Sequence, residues 1–264
     1  MTEPAPPPMT APDEASPAMG RWRYWRPAAA PVELGTLQGR EVGLPPHFHA
    51  EDQLTLVLAG RRRFVLGGRL LVLRAGQGAR IPAGVPHRSL AEPEGVLCLN
   101  AYLPAGSDAA AALEGWLAAG GWPRGAVLPP MDLARAGLAG AGLVGADLEL
   151  AAWRRAAAAP PEGQALPPAG PVRRAAAQAG MSREGFTRRF ARRHGMPPHA
   201  FWRMDRLNLA RRLLRAGEGI AATAAEAGFA DQSHLGRCFR RVFGVTPGRY
   251  RAGEPPSQPF QTGW

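Results

Sequence analysis

Residues Gly228 to Arg251 read GFADQSHLGRCFRRVFGVTPGRYR. A glycine opens the stretch, Leu235 and Phe239 stand four apart within it, and Gly244 with Pro247 closes it. The same grammar occurs once before, in Gly180, Ser182, Phe186, Phe190, Gly195 and Pro198. The opening glycines are 48 residues apart, whereas Phe190 and Phe239, like Gly195 and Gly244, are 49 apart, so the second copy holds one extra residue.

Each copy predicts a helix-turn-helix. A short Ala-rich helix ends at a glycine, which takes the left-handed backbone a tight turn needs. Apolar residues four apart on the following helix share one face and pack on the first. Ser182 is an N-cap for the first of these helices, and Asp231 and Ser233 compete for that role in the second. Gly195 with Pro197, and Gly244 with Pro247, stop the helices. Between the copies, Phe201, Met204, Leu207, Ala210 and Leu214 recur at helical spacing from about Pro198 to Ala216, with Arg203, Arg206, Arg211 and Arg212 among them. One helix joining the two units sets a fixed separation, suited to major grooves about 34 Å apart on one face of a duplex.

Charge points the same way. Val172 to Arg251 holds 17 Arg against five acidic residues, a net of +12, and the whole chain is +11, so the remainder is close to neutral. A basic domain attached to a neutral one marks a polyanion partner. A helical bundle with a merely solvated basic face does not account for this division.

The stretch resembles the C-terminal DNA-binding domain of AraC/XylS-type transcription regulators, most closely over residues 228–251, with Met181-Ser182, Arg206-Leu207 and Ala210 to Leu214 also matching. The resemblance covers about 80 residues. It implies a seven-helix fold with two recognition helices, and an expected partner in double-stranded promoter DNA. Placed by the family's motif, Glu184, Thr187 and Arg188 on the first recognition helix face bases, beside Arg183. On the second, Gln232, Ser233, His234 and Arg237 do so. Arg188 and Arg237 suit the O6 and N7 edge of guanine, and Gln232 suits adenine. Arg192, Arg193, Arg240, Arg241 and Arg249 suit phosphate contacts, which position the protein without reading sequence. Three departures from the pattern thin the expected core: Arg189 beside Phe190, Ala175 with Ala176, and Thr223.

The 264 residues allow two ordinary domains, and 45% apolar content suffices for a core. All 32 basic residues are Arg. Cys98 and Cys238 form no disulfide framework and read as buried thiols. Residues 1–20 read as a disordered Pro/Ala-rich tail, as do residues 253–264. No apolar run has signal-peptide form or spans a bilayer, so a soluble, cytoplasmic protein without a membrane partner is expected.

Residues 21–105 read as β-structure: Gln53 to Leu58, then Gly60; Arg63 to Leu66, then Gly67-Gly68; Leu70 to Leu73; and Val96 to Leu103. Short, evenly spaced strands predict a sandwich or barrel. Within it, His47 and His49 lie two apart, which on a strand puts both on one face. His87 can complete a set of three imidazoles, with Gln53 as a weak neutral fourth ligand. The pattern resembles the two cupin motifs, met at His47, His49 and Gly60 and at Gly76, Pro82, Gly84 and His87. Gln53 stands where Glu is usual, and Ala91 where Asn is usual. The resemblance implies a cupin-like β-barrel, the usual sensor domain of the regulator family above. The set His47, His49, Gln53 and His87 is read as lining a ligand pocket that requires no cofactor. A divalent metal on His47, His49 and His87 is the other use of the set, weakened by the missing carboxylate.

Residues 106–159 form an Ala/Gly/Pro-rich helical region. Ala109 to Ala119 and Leu143 to Ala158 serve either dimer contacts or docking on the barrel, and the latter is alternatively the first helix of the DNA-binding domain, taken as residues 160–252. The expectation is therefore a multi-domain α and β protein: a bacterial-type regulator, not an enzyme, sensing a small-molecule effector. A homodimer and RNA polymerase are further candidate partners. The alternatives are a metal-dependent cupin enzyme with an incidental basic tail, and an architectural DNA binder without effector.

Overall fold

The computed structural model describes residues 20–26, 32–105 and 172–253. The helical pieces expected at Ala109 to Ala119 and Leu143 to Ala158, and both terminal tails, lie outside the described residues.

The first half is an antiparallel, curled sheet of eight strands: β1 (Arg21–Trp25), β2 (Glu33–Gly39), β3 (Leu44–His47), β4 (Asp52–Leu66), β5 (Arg69–Arg74), β6 (Gly78–Ile81), β7 (His87–Ser89) and β8 (Val96–Leu103). The path runs β1-β2-β8-β4-β7-β3, with β5 and β6 also paired to β4. Strand β8 is buried at every position, as a strand covered on both faces must be. The sheet curls because β4 serves two sheets. Its first half pairs with β8 and β6, and its second half with β5 and β7.

Sequence spacing predicts two strands here, broken at Gly60. The structure instead runs one 15-residue strand through it, with a register irregularity between Val57 and Ala59. Gly60 has φ +73°, and a Cβ there would lie 2.3 Å from the carbonyl oxygen of Gly95. The glycine marks a bend and a close backbone approach, not a chain reversal.

The second half holds α1 (Val172–Gln178), α2 (Arg183–His194), α3 (Pro198–Arg215), α4 (Ile220–Glu226), α5 (Gln232–Phe243) and α6 (Pro247–Ala252). Thus six helices of the expected seven fall among the described residues. Ala175 and Ala176 do not leave a hole: with Phe186, Phe190 and Trp202 they form a small buried cluster of their own. The second unit differs. Leu235, Phe239, Val242 and Phe243 of α5 belong to the same buried cluster as Trp22, Tyr24, Phe48 and Tyr102 of the barrel. Phe48 and Phe201 pack against each other across the boundary, their rings tilted and their centroids 4.8 Å apart. The second helix-turn-helix and the barrel therefore share one core.

Candidate functional site

Local sequence sets the two exposed helices. On α2, Ser182 Oγ accepts from the Gly185 amide at 3.0 Å, and Gly195 closes the helix in the left-handed region. On α5, Asp231, not Ser233, is the N-cap, accepting from the His234 amide at 2.6 Å, and Gly244 closes it the same way. Phe186, Phe190, Leu235 and Phe239 are buried as the spacing requires. The opposite faces are open: Arg183, Glu184, Arg188 and Arg192 on α2, and Gln232, Ser233, Arg237 and Arg241 on α5, are exposed, with Thr187 and His234 half-buried. The Thr187 hydroxyl donates to the Arg183 carbonyl at 2.8 Å, so it is committed to its own helix. The Ala230 amide donates to His234 Nδ1 at 3.4 Å, leaving Nε2 as the donor of a neutral ring. Among the described residues, no salt bridge involves Arg183, Arg188, Arg192, Arg237 or Arg241. Arg192 and Arg193 also border a cleft of about 420 Å³ shared with Arg88 and His87 of the barrel.

The histidines converge as expected. His47 on β3 is the cross-strand partner of His87 on β7, and His49 follows just beyond the end of β3. One ring nitrogen from each lies within 4.8 Å of the others, and all three side chains are buried. Burial pushes His87 down to about 4 and holds His47 and His49 well below the usual histidine range, so the three are neutral near pH 7. Gln53 is oriented by its neighbours. Its Nε2 donates to Thr55 Oγ1 at 2.9 Å and to Asn100 Oδ1 at 3.3 Å, while Thr55 Oγ1 itself donates to Asn100 Oδ1 at 2.7 Å. That leaves Oε1 of Gln53 without a hydrogen-bond partner.

Whether the set fits a metal depends on the tautomers. Nδ1 of His47 lies 2.8 Å from the Pro45 carbonyl and Nδ1 of His87 lies 3.0 Å from the Val85 carbonyl. A carbonyl only accepts, so both Nδ1 atoms carry the proton and both Nε2 atoms keep a lone pair, as ligands need. His49 differs: its Nδ1 lies 3.2 Å from Nη1 of Arg211, which only donates. Two imidazoles are thus preset for a cation and the third is engaged elsewhere.

Arg211, one of the arginines of α3, is not part of an exposed basic surface. It is 1% exposed and turned into the boundary between the two halves. It pairs with Glu33 and with Glu51, donates through Nε to the Tyr250 hydroxyl at 3.1 Å, and lies 4.2 Å over the Tyr102 ring. Burial opposes its charge, but Glu33, Tyr250 and Glu51 hold its pKa well above the ordinary arginine value. Arg215 pairs with Glu51, Tyr250 donates to Glu33, and the Tyr24 hydroxyl donates to the Phe243 carbonyl at 3.0 Å. Asn208 Nδ2 donates to the Phe48 carbonyl at 3.2 Å. None of these partners was evident from motifs. One signal existed: Arg211 sits four after Leu207 and three before Leu214, on the buried stripe. Arg206 is also not a free basic residue, since it caps the Gly228 carbonyl at 2.8 Å and lies over Phe229.

The barrel interior is small in this arrangement. The enclosed space bounded by His47, His49, Gln53, Arg62, Tyr102 and Val242 among others holds about 10 Å³, room for roughly one water molecule. Val242 comes from α5, so the helical half supplies part of the wall.

Family comparison defines the class. Residues 33–98 match a cupin domain and residues 175–253 match a helix-turn-helix domain of the AraC type. The chain thus joins a cupin domain on its N-terminal side to a helix-turn-helix domain of the AraC type. Among curated proteins it is similar to the HTH-type transcriptional regulator MtrA of Neisseria gonorrhoeae, 38% identical over 76 residues, which is 28% of this chain and 25% of that protein. The match therefore spans about a quarter of that relative's length. Similar solved structures include a cupin 2 conserved barrel domain protein from Leptotrichia buccalis (21% identity, 36% of this chain and 44% of that one, TM-score 0.30). Another is the DMSP lyase DddQ from Ruegeria pomeroyi (20% identity, 27% and 38%, TM-score 0.26). Among the described residues no helix is long and apolar enough to cross a membrane.

Proposed function

We propose that this chain is a sequence-specific regulator of transcription whose two helix-turn-helix units occupy adjacent major grooves of promoter DNA, and whose barrel senses a small molecule. The observation that carries the reading is the pair of capped helices with open, unpaired Arg, Gln and Ser side chains, both within a matched AraC-type domain. Arg188 and Arg237 read guanines, Gln232 reads an adenine, and Arg192 and Arg241 hold phosphates.

Sensing is supported by the buried cluster of His47, His49, Gln53 and His87, of which the first three line the enclosed space while His87 borders the open cleft beside Arg192. The enclosed space of about 10 Å³ admits a water or a single ion, so an organic effector enters it only if Val242 and the end of α5 draw back, whereas the cleft of about 420 Å³ beside His87 is already open. Binding would then alter how the helical half sits on the barrel. A divalent cation, if bound, would rest on His47 and His87 and supply charge at that point, with Gln53 Oε1 beside it. Catalysis is a poorer use of the pocket, because none of the side chains bounding it is a carboxylate.

The test compares binding of the full chain to the DNA upstream of its own gene and to a scrambled duplex, at one stated salt concentration. Specific binding tighter by about 1,000-fold or more is expected. Equal affinity for both sequences refutes the reading.

A further inference from the structure

We propose that Arg211 and a divalent cation compete for His49, so that metal loading of the histidine set and docking of the helix-turn-helix domain on the barrel oppose one another. The proposal rests on the sensing role above for its use, but its test needs neither effector nor DNA.

The argument turns on one nitrogen. A guanidinium has donors and no acceptor. With Nη1 of Arg211 at 3.2 Å, Nδ1 of His49 must accept, so the neutral ring carries its proton on Nε2. A cation on Nε2 would force the proton to Nδ1 and set N–H against N–H across that 3.2 Å. A cation on Nδ1 would take the lone pair that Arg211 uses. By either route Arg211 leaves His49. His47 and His87 carry no such conflict, since both Nδ1 atoms donate to carbonyls. The Nε2 atoms of His49 and His87 are buried without a well-formed hydrogen bond, that of His49 having the Gln53 amide as its near neighbour, and the three rings stand close enough for one nitrogen of each to lie within 4.8 Å of the others.

What Arg211 releases is the seat of α3. The same guanidinium holds Glu33 on β2 and Glu51 in the loop after His49. Asn208, about one turn earlier on α3, donates to the carbonyl of Phe48, next to His49 in the chain. A shift of the His49 ring and a shift of α3 are thus mechanically tied. By linkage the antagonism is reciprocal: whatever loading does to docking, docking does to metal affinity, by the same factor.

The experiment titrates the full chain with Zn²⁺ alone against a competing chelator. The variant Arg211→Met removes the competitor for His49. It is expected to bind Zn²⁺ about 10- to 100-fold more tightly than the parent, the equivalent of one hydrogen bond to a charged group. Because that variant leaves Glu33 with only the Tyr250 hydroxyl and Arg215 at 3.8 Å, the double variant Glu33→Gln/Arg211→Met is measured beside it, and the same gain is expected with the net charge unchanged. In the parent chain, Zn²⁺ should speed hydrogen exchange at 208–215 and 242–250, and His47→Ala should abolish the effect. Equal Zn²⁺ affinity in parent and double variant, slower exchange on loading, or no uptake by any form overturns the proposal. Sequence-specific DNA binding by a chain that fails these tests would refute the competition and leave the regulator reading standing.

Discussion

Gly244→Ala is the sharpest probe of whether the second helix-turn-helix unit is seated on the barrel. Gly244 closes α5 at φ +74°, and a Cβ there would lie 2.2 Å from Cδ1, 2.4 Å from Cγ and 2.7 Å from Nε1 of Trp22. The indole is poorly placed to yield, since it is buried, parallel to Tyr24 at 6.5 Å and beneath the Arg62 guanidinium at 5.9 Å. Two costs therefore add. The left-handed backbone costs about 1–2 kcal/mol for any residue with a Cβ, and forced overpacking costs about 1–3 kcal/mol more. Gly180→Ala is the internal control: its φ is +62°, and no atom lies within 4 Å of the added Cβ, so it carries the backbone cost alone. Urea denaturation of the full chain should show a loss of about 2–5 kcal/mol at Gly244 and about 1–2 kcal/mol at Gly180. In a Trp22→Ala background the steric part should vanish, giving a coupling of about 1–3 kcal/mol between the two sites. Equal losses at both glycines, or strict additivity with Trp22→Ala, would show that the boundary is not packed as described.

Three other outcomes follow from single residues. Arg188→Ala should cost about 1–3 kcal/mol on the specific site and relax one base position, whereas Arg241→Ala should weaken all duplexes alike and lower the salt slope by about 1; equal losses on specific and random DNA for Arg188→Ala would unseat its role as a reader. His87 is held near 4 when folded, against about 6.5 unfolded. The folded state thus binds fewer protons, and stability is intact above about pH 6.5 and falls as the pH drops toward 4. His87 alone should cost on the order of 2 kcal/mol at pH 5, with His47 and His49 acting in the same direction; denaturation midpoints unchanged between pH 7.5 and 5 would contradict neutral burial. Thr223 is fully buried with its hydroxyl unpartnered, so Thr223→Val should stabilise by about 1 kcal/mol, and a loss in thermal midpoint would mean the hydroxyl has a partner.

Much of the helical half was legible because its determinants are local. Ser182, Gly195 and Gly244 act on backbone within a turn of themselves, and Phe186, Phe190, Leu235 and Phe239 declare their face by spacing. The histidine set was legible from spacing and motif, since His47 and His87 turn out to be paired across two strands. What escaped were features that depend on a distant partner. Gly60 looks like a turn until Gly95 is placed against it. Arg211 looks like one more basic side chain until Glu33, 178 residues away, is brought to it. Asp231 and Ser233 were equal candidates for the cap, and only the backbone geometry before α5 chose between them.

The unequal anchoring of the two units has a consequence for how this chain can change. Phe186, Phe190 and Trp202 hold the first unit in a cluster of its own, so most of α2 is free of the barrel, Arg192 and Arg193 at its end excepted. On α5, Val242, Phe243 and Gly244 are gripped by the barrel less than two turns from Arg237. On the proposed reading, retargeting to a new operator should thus come more readily through α2. If the proposed reading holds, rewriting what α5 recognises risks disturbing the barrel with every altered letter.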